Sequence, residues 1–231
     1  MLNKILIANR GDIACRIADT CERMGYAVAT VHSDADRDAL HVRRIGQSVR
    51  IGGAPAAESY LNIPAIVAAA AATGADAVHP GIGFLSENPA FAEAVEAAGL
   101  TFIGPRPETM RRFSDKASAK REAVQAQVPV IEGGLDSWSD AEAVARQVRS
   151  MKLPALLKAV AGGGGRGVRV VQTLDRLDEV IESAMREAQA SFGLPNLLVE
   201  QFIDKPRHIE VQVAGDGHGN VIHLFERECS L

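Results

Sequence analysis

Apolar positions recur along the first hundred residues in two alternating rhythms. Short apolar runs at residues 4–8 (KILIA), 27–32 (AVATVH), 48–51 (SVRI), 76–79 (DAVH) and 101–103 (TFI) predict strands. Between them the spacing turns helical. One helix is expected over residues 12–24, stopped by Gly25. A second follows Asn62 as N-cap, with Pro64 in its first turn and Gly74 past its end. A third opens at Asn88-Pro89 and stops at Gly99. Strands and helices alternating in this way predict a mostly parallel sheet covered on both faces.

Beyond Ser114 the texture changes. A helix is expected around residues 115–127, a short strand over 128–131 and a helix near 140–150. Two strands, 155–159 (ALLKA) and 168–172 (VRVVQ), are joined by a glycine-rich loop. A helix over 174–190 carries Glu182 and Arg186 as a supportive i,i+4 pair, and 196–202 (NLLVEQF) reads as a strand. Residues 208–214 and 220–225 alternate in polarity and flank 215–219 (GDGHG), a hairpin signal.

Composition narrows the class. A chain of 231 residues makes one large domain or one and a half to two ordinary ones. Hydrophobic residues at 47% and charged residues at 23% exclude disorder, collagen and coiled coil. A formal charge of −4 argues against a general grip on nucleic acid. Cys15, Cys21 and Cys229 form no CxxC pair and read as buried thiols in a reducing cytosol. An apolar run of about 18 residues is lacking, and the N-terminus enters a strand pattern directly, so neither membrane span nor signal peptide is expected. The expected location is cytoplasmic, with no membrane or nucleic-acid partner.

Residues 161–167 (AGGGGRG) are the most informative segment. Gly162, Gly164 and Gly167 formally satisfy G-x-G-x-x-G, but that motif must open a helix and a strand follows here. A Walker loop fails too, since no Gly-Lys-Ser/Thr is present. The remaining readings are a flap whose backbone amides close over anionic oxygens, or a flexible hairpin without a ligand. Lys158 lies in the apolar run ALLKA, where its charge needs either a polyphosphate partner or a route to water. Lys116 falls near a helix N-terminus, as an anion contact or an ordinary surface lysine. His79, at a strand end, reads equally as a ligand-presenting or a capping residue. Glu226 and Glu228 share a strand face and read as structural in preference to a metal site.

Six segments occur in order: residues 9–14 (NRGDIA), 79–88 (HPGIGFLSEN), 102–105 (FIGP), Asp115-Lys116, Lys158 with its glycine flap, and 207–212 (RHIEVQ). Together they resemble the biotin carboxylase family of the ATP-grasp superfamily, and the resemblance covers the whole chain. It implies an α/β fold. A Rossmann-like pre-ATP-grasp domain would span 1–113, a linker and lid subdomain 114–204, and the truncated start of the C-terminal ATP-grasp domain 205–231. By the same resemblance Lys116 and Lys158 would bind ATP phosphates, with Gly164 and Gly165 in the flap above them. The backbone of Glu200, Gln201, Phe202 and Ile203 would read adenine, and His208 would touch nucleotide. From its residue type alone, His208 reads equally as a satisfied strand histidine.

The sequence departs from the family pattern at Ile82, where tyrosine is usual in a loop facing the biotin and bicarbonate cleft, and at Val160-Ala161, where the flap usually begins Ser-Gly. The resemblance further implies ATP, magnesium, and biotin on a carrier as carboxyl acceptor. Its implied partners are a biotin carboxyl carrier and a carboxyltransferase, with a homodimer left open. The family's magnesium, bicarbonate and catalytic residues would fall beyond Leu231, so the chain alone is expected to be inactive. The alternatives are another ATP-grasp ligase, such as a carbamoyl-phosphate synthetase, or a non-catalytic nucleotide-binding or interaction fragment.

Overall fold

The computed structural model describes residues 2–113, 116–160 and 167–230. The chain divides into two units, Met1–Ala119 and Lys120–Leu231. In the first, β1 (Lys4–Ile7), α1 (Gly11–Arg23), β2 (Ala27–Ser33), α2 (Leu40–Ile45) and β3 (Ser48–Gly52) follow in order. Then come α3 (Ile63–Thr73), β4 (Ala77–His79), α4 (Pro89–Ala97), β5 (Thr101–Phe102) and α5 (Pro107–Arg112). All five strands are parallel, in the order β3-β2-β1-β4-β5. Chain direction therefore reverses its progress across the sheet between β1 and β4, and ligand crevices of open α/β sheets form at such a point.

Strand alternation sorts the core onto two faces. Ile5 and Ile7 of β1 pack toward Ala14, Ala18 and Cys21 of α1, while Leu6 and Ala8 join Ile66, Ala69 and Ala70 of α3 and Phe91 and Val95 of α4. The expected caps are in place. Asn62 Oδ1 accepts from the Ala65 amide at 3.1 Å, and Gly74 ends α3 in the left-handed region at φ 66°. Asn88 accepts from the Ala90 and Phe91 amides at the start of α4. The small α2 and α5 were not expected from the sequence; each is only six residues long. Of the cysteines, only Cys21 is buried, and burial pushes its thiol up; Cys15 and Cys229 are half-buried, which corrects the expectation that all three lie inside.

The division between the units falls within α6 (Lys116–Gln125); the second unit continues with α7 (Ala141–Arg149), β6 (Ala155–Ala159), β7 (Val168–Val171), α8 (Leu177–Phe192) and β8 (Leu197–Gln201). An antiparallel sheet forms in the order β7-β6-β8. The strand expected over 128–131 is absent. Pro129 has no amide to give a ladder, Gln127 turns the chain at φ 57°, and Val128, Val130 and Ile131 stay exposed. The helix expected from residue 174 begins instead at Leu177, behind Arg176 at φ 56°. Val144, Ala145 and Val148 of α7 and Ile181, Ala184 and Ala188 of α8 cover one face of the sheet, against Ala155, Leu157, Ala159, Leu197 and Val199.

The expected hairpin is formed by β9 (Ile209–Gly215) and β10 (Val221–Glu228). Asp216 Oδ1 closes its turn, accepting from the His218 amide at 2.7 Å. Val211, Val213, Val221, Ile222 and Phe225 are exposed on it. Among the described residues no helix is long and apolar enough to cross a membrane. Replacing the α3 cap, Asn62→Ala, is expected to cost about 1 kcal/mol. A drop in the urea midpoint of the first unit with unchanged far-ultraviolet dichroism would check this.

Candidate functional site

Period-2 alternation decides what the second unit's sheet displays on the face turned away from α7 and α8. Ala155, Leu157 and Ala159 point to the helices, so Leu156 and Lys158 point away; on β8, Leu198 and Glu200 do the same. In the ladder Lys158 sits opposite Leu198 and Leu156 opposite Glu200, which makes Lys158 and Glu200 diagonal neighbours on one face. Lys158 Nζ donates to Glu200 Oε2 at 2.5 Å. Lys120 of α6 donates its Nζ to the other oxygen, Oε1, at 3.3 Å. The polyphosphate expected as partner of Lys158 thus has a resident counterpart, the Glu200 carboxylate.

Burial makes this triad consequential. The side chains of Lys120, Glu200 and Lys158 are 6%, 10% and 25% exposed. Burial alone would raise the Glu200 carboxyl, but the hydrogen bond and charge of Lys158, followed by those of Lys120, hold it below its ordinary value. Two ammonium groups on one carboxylate leave a formal charge of +1 in a poorly solvated place. Such a place favours an anion.

Gly164 and Gly165 lie outside the described residues. Lys116 is exposed, one turn before Lys120 on the same helix. In the hinge, the Gln201 amide donates to Glu132 O at 2.8 Å and the Phe202 amide to Pro154 O at 3.1 Å. Ile203 is half exposed. His208 is exposed; its backbone amide donates to Ser230 Oγ at 2.6 Å, and its Nε2 lies 3.7 Å from Glu210. Glu228 pairs with Arg207 at 2.9 Å, the structural part expected of it. Glu226 takes its place in the β10–β9 ladder opposite Val211. Among the described residues no group of three His, Cys, Asp or Glu is gathered that could hold a metal ion.

Motif reasoning missed Lys120, although its i+4 spacing from Lys116 puts both on one helix face. It also missed a cluster at the strand ends of the first unit. Arg10 lies 5.3 and 5.4 Å from the ring centres of Tyr60 and Phe84, which stack on each other at 4.9 Å. Asp36 accepts from Tyr60 and Ser33 at 2.8 Å each and from Arg10 at 3.2 Å. Burial, reinforced by the hydrogen bond to Asp36, pushes the Tyr60 phenol up to about 12. The cluster fastens the loop after β4, where Phe84 is held at φ 45°. Asn9 Nδ2 donates to Pro80 O and Ile82 O in the same loop, and a Cβ on Gly81 would lie 2.5 Å from that nitrogen. His79 acts as the cap: its Nδ1 accepts from the Gly81 amide at 3.0 Å, and burial lowers its pKa. Ile82 is 73% exposed at the tip.

Comparison with known proteins separates the two units. Residues 1–110 match the model of the biotin carboxylase N-terminal domain, and residues 115–231 that of the carbamoyl-phosphate synthase L chain ATP-binding domain. The second unit is thus built as an ATP-binding domain. The chain belongs to the biotin carboxylase family and corresponds to its N-terminal part. It is 52% identical over its whole length to the mitochondrial methylcrotonoyl-CoA carboxylase subunit alpha of Oryza sativa subsp. japonica, of which it covers 31%. It is 48% identical to the biotin carboxylase of Haemophilus influenzae, covering 100% of this chain and 52% of that protein. A crystal structure of a Campylobacter jejuni biotin carboxylase–beta-gamma-ATP complex superposes with a TM-score of 0.95 at 48% identity, covering 100% of this chain and 52% of that one. The chain therefore spans about half the length of the biotin carboxylases it matches. The α/β, ATP-grasp class expected from the sequence holds.

Glu200 gives a pH test. Its folded pKa lies below the ordinary 4.5, so its stabilising effect is full above that value and is lost as pH falls through the depressed native pKa. Glu200→Gln is expected to destabilise the second unit at pH 7 by about 3–5 kcal/mol, since it leaves the buried Lys120 without its counter-charge and beside half-buried Lys158. It is also expected to flatten the loss of stability below pH 4.5. Urea melts at pH 7 and pH 3.5 would check both; parallel acid limbs in the two proteins would refute the assignment.

Proposed function

We propose that this chain is the nucleotide-holding N-terminal part of an ATP-dependent biotin carboxylase, a carbon–nitrogen ligase. The observation that carries this is the positively charged triad of Lys120, Glu200 and Lys158 on the sheet face turned away from α7 and α8, at the hinge. Lys116 and Lys158 would contact ATP phosphates, with Gly164 and Gly165 closing over them. In the hinge of Glu200, Gln201, Phe202 and Ile203, the Gln201 and Phe202 amides are already bonded to carbonyls. The Ile203 amide has no partner among the described residues, so it is the donor offered to adenine. His208 would contact nucleotide from the start of the hairpin.

The complete enzyme would use ATP and bicarbonate to carboxylate biotin on a carrier, which would pass the carboxyl group to a carboxyltransferase partner in the cytoplasm. A homodimer of it is supported by the dimer formed by the related biotin carboxylase domain of the Hydrogenobacter thermophilus 2-oxoglutarate carboxylase. The division into 1–113, 114–204 and 205–231 follows from this reading. Exposed Ile82 would face the biotin end of the cleft with an apolar contact where a tyrosine would supply a hydroxyl. Magnesium would neutralise the transferred phosphoryl group. The described residues gather no carboxylate set for it, and no residue of the chain is assigned to that ion. The carbamoyl-phosphate synthetase alternative is disfavoured by the match of residues 1–110 to the biotin carboxylase N-terminal domain.

Lys158→Ala removes a charge-assisted contact worth about 1.5–3 kcal/mol, a loss of roughly 10- to 150-fold in ATP affinity. Calorimetry on both proteins would measure it, and equal affinities would refute the role of Lys158. Because phosphoryl transfer is mostly positioning and charge neutralisation, this chain alone is expected to release no phosphate with ATP, magnesium, bicarbonate and biotin. A form extended to the length of its biotin carboxylase relatives should do so. Comparable rates from the two would mean that the first 231 residues carry the chemistry by themselves.

A further inference from the structure

Lys120 belongs to none of the segments that carry the family resemblance, yet it is the most buried charge of the triad. At 6% exposure it can reach little water, and its ammonium is aimed at Glu200 Oε1 while Lys158 holds Oε2. Each lysine has an oxygen of its own. Of the two, Lys158 is the one with access to solvent, at 25%.

The asymmetry matters when an anion arrives. Were Lys158 and Glu200 a simple pair, moving Lys158 onto a phosphate oxygen would strand a carboxylate that is 10% exposed, and uncompensated buried charges are strongly disfavoured. The pair would also be neutral and exert little pull on a polyphosphate. With Lys120 in place, Glu200 keeps a cation after Lys158 leaves, and the excess positive charge sits on the outer, movable lysine.

We propose that Lys120 is a positioning residue for the nucleotide: it compensates Glu200 so that Lys158 can exchange the carboxylate for a phosphate oxygen. This rests on the nucleotide-binding reading above. Lys120 touches no ligand; it acts through Glu200. The exchange moves no covalent bond and needs no added reactant. Glu200 holds Lys158 in place before the nucleotide arrives and Lys120 holds Glu200 afterwards.

The test is a calorimetric titration of the whole chain with ATP and, separately, with adenosine, which lacks phosphates. Lys120→Met is expected to weaken ATP binding roughly tenfold, about 1.4 kcal/mol, and to leave adenosine binding unchanged. Lys120→Arg should stay close to the unsubstituted chain. The decisive variants carry Glu200→Gln. With no carboxylate left for Lys120 to compensate, Glu200→Gln alone and Glu200→Gln combined with Lys120→Met should bind ATP equally, because coupled residues are non-additive. This comparison stands even if Lys120→Met alone does not fold. A merely structural Lys120 would weaken ATP and adenosine alike, and in the Glu200→Gln background too; that result overturns the proposal, as does unchanged ATP affinity in Lys120→Met. An unsubstituted chain that binds no ATP overturns the nucleotide reading itself, a distinct outcome.

Discussion

One carboxylate between two ammonium groups governs the second half of this protein. Glu200 lies on the face of a three-stranded sheet turned away from α7 and α8, in line with Lys158 and the apolar Leu156 and Leu198. A buried ion pair is weak support for stability, because desolvation offsets much of the attraction. Such a group is better understood by what it holds ready. The sheet's alternation fixes Lys158 and Glu200 as diagonal neighbours, and α6 delivers the third member. The helices on the far side keep the strands from shifting register, which would turn both charges into the core.

The first unit solves a different problem with similar means. Its strand ends at the β1–β4 reversal carry loops that have to keep a fixed shape without regular hydrogen bonding. Asn9 spends its side-chain amide on two carbonyls of the loop after β4, and Arg10 lies against the Tyr60–Phe84 stack while reaching Asp36. An apolar residue, Ile82, can stand exposed at the tip because the flanking turns are fastened from behind. Side chain and backbone are locked together here: a left-handed Phe84 is tolerable because its ring is stacked.

Much of this was legible in the sequence for identifiable reasons. The parallel sheet followed from apolar runs punctuated by caps such as Asn62 and Asn88, whose side chains act on their own neighbours. The hairpin at Asp216 was equally local. The short α2 and α5 escaped because one and a half turns give no periodicity to count. The apolar stretch at residues 128–131 misled because hydrophobicity alone cannot supply the amide that Pro129 lacks. Lys158 stood out as a charge in an apolar run, whereas its carboxylate partner lies 42 residues away and Lys120 a further 38 in the other direction. Such partnerships depend on sheet register and helix placement, and neither is visible in a single chain read along its length.

The sole tryptophan, Trp138, has a consequence for how the molecule can be watched. It is bridged to Leu197 by backbone hydrogen bonds in both directions and packs on the core beneath the β7-β6-β8 sheet. Indole emission is therefore a private signal of the second unit. Of the two tyrosines, Tyr60 is wholly inside the first unit and keeps its proton to about pH 12, so a late phenolate absorbance step is a signal of that unit. The chain carries a separate optical label in each half, and light alone can report whether the halves come apart together or in turn.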